Sequence, residues 1–106
     1  MPTNRRGAAG ALLAGLAMAL LVACAGTLQQ ETGIVISVDS PAFGRVDGFE
    51  LLTPDGRTVA FDTTELAFRP EFPAPHLNEH RLLADPIVVT YRTDGDRQVV
   101  TQLDDG

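Results

Sequence analysis

The stretch VDGFELLTPDGRTVAFD, residues 46–62, decides the fold. Its apolar residues alternate with polar ones. Phe49 and Leu51 fall on one face of the first run, and Val59 and Phe61 on one face of the second. A period of two marks a half-buried strand. Between the runs stands Thr53-Pro54-Asp55-Gly56, and Asp-Gly between alternating segments is a strong hairpin signal. Residues 46–53 and 57–62 are therefore predicted as two antiparallel strands joined by a tight turn.

The same period appears on both sides. In GIVISVD, residues 33–39, Ile34, Ile36 and Val38 are expected to share the inward face. Ser40-Pro41-Ala42-Phe43-Gly44 then interrupts the chain with proline and glycine. Further on, Pro70, Pro73 and Pro75 exclude a long helix, but Pro75 to Ala84 suits a short one with proline in its first turn. Residues 86–92, PIVVTYR, are rich in β-branched side chains and form the clearest strand. Asp94-Gly95-Asp96 is a second hairpin turn. Arg97 to Leu103 is the last strand, with Val99, Thr101 and Leu103 expected on one face. The order is three strands, a helix and two strands. Five short strands are too few for an immunoglobulin-type sandwich. This order is that of an OB-like barrel: mainly β, five antiparallel strands, one short helix between strands 3 and 4 capping an open end. An open antiparallel sheet with the helix on its face is the alternative.

The front of the chain is different in kind. Arg5 and Arg6 are followed by 17 residues, 7–23, with no charged side chain. A basic start, an apolar run and small residues before a boundary make a secretory signal peptide. A spanning helix needs about 20 apolar residues, so the run is short for a permanent anchor. The single cysteine of the chain, Cys24, closes it. Leu21-Val22-Ala23-Cys24 resembles the lipobox of bacterial lipoproteins. That resemblance implies cleavage before Cys24, diacylglyceryl transfer to its thiol and acylation, palmitate among the acyl chains, on the new amino terminus. More than one acyl chain is what stable anchoring requires. The alternative is an uncleaved membrane helix with the same domain outside. The expected division is a signal peptide at 1–23, the lipidated cysteine and a tether at 24–32, and the barrel at 33–106. With Cys24 committed to lipid, the domain has no disulfide and folds by core packing alone.

All 14 acidic residues follow Cys24, with six of the eight arginines, so that part carries a net charge of −8. OB-folds that bind nucleic acid need a basic groove and aromatic platforms. This segment is acidic, with no Trp and one Tyr, so nucleic acid is excluded as a partner. The same charge gives no second, electrostatic grip on anionic lipid.

A second resemblance covers most of the domain. Gly33, Val35, Val38-Asp39-Ser40, Val46-Asp47, Phe49, Leu51, Asp55-Gly56-Arg57, Phe72-Pro73, His76-Leu77, Glu79-His80, Val88 and Tyr91-Arg92 stand as in a group of small uncharacterised bacterial envelope proteins. The resemblance supports the domain and the cell-envelope location, and it implies no activity.

The one stretch with candidate chemistry is PHLNEHRL, residues 75–82. On a helix His76 and His80 share a face, and Glu79 can join them. Two imidazoles and a carboxylate suit Zn²⁺ or Cu²⁺. The spacing is not that of H-E-x-x-H zinc proteases, and a tight site needs a further ligand from elsewhere. The structural alternative has Leu77 and Ala84 on the barrel, His80 bonded to a backbone carbonyl and Glu79 paired with an arginine. It needs no cofactor. Asp94/Asp96 and Asp104/Asp105 lack the ligand series of a calcium loop and are expected to be solvated. No redox cysteine pair, nucleophile elbow or phosphate loop is present. The expectation is a non-catalytic, lipid-anchored binding module whose partner is an envelope protein or a glycan, with Phe43, Phe68 and Tyr91 as candidate contacts. The alternative is an envelope metal-binding protein using His76, Glu79 and His80.

Overall fold

The computed structural model describes residues 27–106. The expected signal peptide and lipobox, with Cys24, lie outside them. Five strands form a closed barrel: β1 (Gln29–Asp39), β2 (Gly48–Leu52), β3 (Thr58–Asp62), β4 (Ile87–Asp94) and β5 (Arg97–Asp105). The helix α1 (Ala74–Leu83) lies between β3 and β4, as expected. Around the barrel the order is β1, β2, β3, β5, β4, and β4 closes back onto β1. The one departure from antiparallel pairing is β3 with β5, which run parallel and meet at Asp62 and Val99. Among the described residues no helix is long and apolar enough to cross a membrane.

The strand β1 begins at Gln29, so residues 29–32, assigned above to a tether, are part of the barrel. Their polar sequence shows no alternation because they pair along β4 through side chains as well as backbone. Gln29 Nε2 donates to Thr93 Oγ1 at 3.2 Å and Gln30 Nε2 to Thr90 Oγ1 at 3.2 Å. Cross-strand polar pairs of this kind stabilise a ladder without burying anything.

The inward face of β1 also differs from the expected one. Val35 is buried, whereas Ile36 is 44% exposed. The ladder with β2 pairs Val35 with Leu51 and then Ser37 with Glu50, which leaves Ile36 as the extra residue of a β-bulge. A bulge resets the alternation, so Val38 returns to the core side. The same event occurs in β5. Thr90 pairs with Gln102 and Tyr91 with Val100, so Thr101 is skipped. Val100 and Leu103, not Thr101, join the core.

The core is continuous from barrel to helix. Leu51, Ile87, Val89 and Val35 pack with Leu77 of α1 and with Phe72 just before it. Phe61 stands between Phe49 at 5.4 Å and Tyr91 at 4.9 Å, the latter edge-on. The β2–β3 turn is clamped by Thr53, whose N–H donates to the Arg57 carbonyl at 2.9 Å, while Gly56 takes the left-handed φ of 87°.

Gly33 is the closure point. It pairs with Ile87 of β4, and its neighbour Ile34 pairs with Leu52 of β2. A Cβ on Gly33 would lie 2.3 Å from the Leu52 carbonyl oxygen and 2.9 Å from Leu51 Cγ. The first contact is with backbone, which cannot swing aside. Gly33→Ala is expected to destabilise the domain by about 3 kcal/mol or more, read as a lowered denaturation midpoint; an unchanged midpoint would mean that β1 does not cross there.

Candidate metal centre

Local sequence sets the geometry of α1. Pro73 is extended and begins the helix, and the His76 N–H donates to its carbonyl at 2.9 Å. Proline in the first turn costs no hydrogen bond. His76 and His80 then lie one turn apart on one face, while Leu77 is fully buried. The helix ends at Ala84, which takes a left-handed φ of 53°. That turn sends the chain back under the helix, where the Asp85 carbonyl accepts from His80 Nδ1 at 3.0 Å. Ala84 itself is exposed and not packed on the barrel.

The two rings meet at their Nε2 atoms, 3.1 Å apart. Asp105 Oδ1 lies 3.0 Å from His76 Nε2 and 2.8 Å from His80 Nε2. Glu79 Oε2 accepts from His76 Nδ1 at 2.9 Å, so Glu79 serves the histidine and no arginine. Phe72 backs the pair, stacked on His80 and edge-on to His76. The His80 side chain is 8% exposed, His76 27% and Asp105 65%. The buried ring with its carbonyl partner is what the structural alternative required. The metal alternative asked for both imidazoles facing solvent and a carboxylate within reach: the carboxylate is there, but the His80 ring is buried.

Asp105 is the residue that sequence reasoning missed. The acidic end is solvated as expected: Asp104 pairs with Arg69 at 3.0 Å, and Asp105 is the more exposed of the two. What the sequence reading leaves out is that Asp105 also reaches the two imidazoles. It stands opposite Ile87, and Leu103 stands opposite Val89, so both follow the inward side of β5. Alternation carried on past Leu103 would have pointed Asp105 at the end of the barrel that the helix covers.

The protons are constrained by their partners. A carbonyl and a carboxylate only accept, so Nδ1 carries the hydrogen on His80 and on His76. Each neutral ring then keeps a lone pair at Nε2. With both rings neutral, two imidazole lone pairs and one carboxylate oxygen face one another and repel; a proton on Nε2, which then donates to Asp105, or a metal ion relieves this. Burial pulls the His76 pKa down, but the hydrogen bonds and charges of Asp105 and Glu79 together outweigh it, and the net shift is upward from 6.5. The contacts of Asp105 with His80 and with His76 hold its carboxyl below the usual 3.8.

On the other side of α1 lies an apolar groove of about 610 Å³. Ile36 and Val38 of β1, Phe43 and Val46 of the following connection, and Ala74 and Pro75 of the helix line it. Phe43 is fully exposed there. Of the other two candidate contacts, Tyr91 is buried, and Phe68 is half-buried and packed against the core. No protein-family model matches the chain, and no curated protein matches it either.

Two outcomes are expected. Ala84 holds a conformation that costs an L-residue about 1 kcal/mol, so Ala84→Gly is expected to raise the midpoint of chemical denaturation rather than lower it. In metal-free protein, an NMR titration should place the His76 pKa above 6.5, and Asp105→Asn should bring it down. The sign of the stability effect follows. The raised His76 contributes fully below its unfolded value and loses that contribution as pH rises through its folded one. The lowered Asp105 contributes above its unfolded value and loses it as pH falls. The cluster therefore helps most between the two ordinary values, 3.8 and 6.5; a stability profile in which Asp105→Asn changes nothing across that window would refute the coupling.

Proposed function

We propose that this chain is a lipid-anchored, extracytoplasmic binding module without catalytic activity, held in the cell envelope through Cys24. Its location rests on the sequence. Leu21-Val22-Ala23-Cys24 resembles a lipobox and closes an uncharged apolar run. The start of β1 at Gln29 adds a geometric consequence. Gln29 comes five positions after Cys24, and a chain spans at most about 3.6 Å per residue. The barrel would therefore sit within about 18 Å of its lipid, with almost no free tether.

The strand register orders the candidate metal centre and the apolar groove along β1. Gln29 lies beside Tyr91, Gly33 beside Ile87, and Ile87 beside Asp105. Moving along β1 from the anchor, the Gly33–Asp105 level comes four residues later, about 13 Å at strand rise. The groove lined by Ile36 and Val38 is farther still. If Cys24 carries the lipid, both features would lie on the part of the domain farther along β1 from the anchor.

The observation that carries the binding half of the reading is this groove. A bulge turns Ile36 outward, and Phe43 stands fully exposed at the rim. Apolar side chains gathered in a concavity mark interaction sites more often than scattered ones do. The partner class is an envelope protein or a glycan.

Intact-mass analysis of membrane-fraction protein tests the anchor. A chain starting at Cys24 with added lipid mass is expected, and Cys24→Ala should abolish the added mass. An unmodified chain starting at Met1 would overturn the anchored reading. A photo-crosslinker placed at Phe43 in living cells should give a discrete adduct that the same group at exposed Leu83 does not; equal behaviour at both positions would remove the groove from the proposal.

A further inference from the structure

We propose that His76 Nε2, His80 Nε2 and the Asp105 carboxylate form a divalent transition-metal site that takes Zn²⁺, with a remaining coordination position open to solvent. The inference is independent of the lipid anchor and of the apolar groove.

The argument is one of donors and acceptors. Three contacts of 2.8, 3.0 and 3.1 Å link Asp105 Oδ1 and the two Nε2 atoms. With both Nδ1 hydrogens committed to Glu79 and to the Asp85 carbonyl, the atoms at this point are lone pairs whenever the rings are neutral, the state that binds metal. One proton placed on either ring makes that Nε2 a donor to Asp105 and leaves the other Nε2 facing the carboxylate as acceptor against acceptor. One metal ion satisfies all three at once. Tetrahedral Zn²⁺ with bonds of about 2.0–2.1 Å separates its ligand atoms by about 3.3 Å. The observed separations need to open by only a few tenths of an ångström, and His76 and Asp105 are the exposed members that can move.

The surroundings match those of a metal ligand set. Metal-bound histidines donate their other ring N–H to a carboxylate or a backbone carbonyl, which fixes tautomer and ring orientation. Here one ring has each kind of partner. Phe72, 2% exposed and in contact with both rings, supplies an apolar wall on the inner side. Imidazole and carboxylate donors suit Zn²⁺, and Cu²⁺ follows on the same ligands by the usual affinity order. The three ligands come from two elements, α1 and the end of β5, which the barrel holds together whether or not an ion is bound. Asp105 and His76 both reach solvent, so the ion would keep a side open to water or to an incoming ligand.

The test uses the full-length chain in detergent with Cys24→Ala, which removes the one thiol that could take the ion. Native mass spectrometry and titration calorimetry with ZnCl₂ alone should show one ion per chain. His76→Ala and Asp105→Asn should each weaken binding at least tenfold, and Glu79→Ala, which removes the acceptor of the His76 Nδ1 hydrogen, by about tenfold. His80→Ala removes a buried ring and risks the fold, so the two more exposed ligands carry the test, with circular dichroism confirming that each variant is folded. Absence of a bound ion in excess ZnCl₂ would overturn the proposal. So would binding that His76→Ala and Asp105→Asn leave unchanged, since the ion would then lie on the acidic surface instead.

Discussion

The missing side chain at Gly33 is the constraint on which the rest depends. At that residue β1 leaves β4 and takes up β2, and the Leu52 carbonyl comes so close that a methyl group has no place. Because β1 can serve two partners in succession, five short strands close on themselves and leave no long unpaired edge. Closure in turn creates two open ends. One is covered by α1, whose Leu77 enters the core. That covering helix is what lays His76 and His80 over the end of β5.

The centre is thus a product of how the barrel end is finished. The inward side of β5 carries Leu103 and then Asp105. A carboxylate on an inward register would be costly if it were buried alone. At the rim it meets two imidazoles and keeps contact with water. The left-handed turn at Ala84 completes the arrangement, since it brings the Asp85 carbonyl to His80 and so orients the ring. A local backbone cost is spent where it positions a side chain, as is common at functional sites.

The strand order, the helix and its position were legible, because hairpin turns, prolines and period-two runs are local signals. Phe49, Leu51, Val59 and Phe61 fell on the expected side. Two bulges were not legible, and they account for the errors of face. Ile36 and Thr101 look like ordinary members of an alternating run, and only the partner strand reveals that each is skipped. The start of β1 was missed because Gln29 to Thr32 are stabilised by cross-strand polar pairs and not by burial. The histidine pair was legible from its spacing. Its third member was not found because Asp105 sits in an acidic run 25 residues beyond His80, although the alternation from Leu103 contained the clue.

The parallel seam between β3 and β5 has a mechanical meaning. It is the thinnest join in the wall, with Asp62 and Val99 as its paired residues. Across it the chain has placed a mesh of ions: Arg97 reaches Asp62 and Glu65, and Arg92 reaches Glu65 as well. The other seams rest on longer backbone ladders and on the apolar core, which dilute salt leaves alone. These charges are partly exposed, and mobile ions weaken such pairs within a Debye length of about 8 Å. The pairing that ionic strength weakens thus lies on the side of the barrel opposite the β1 crossing, where the ladder between strands is shortest.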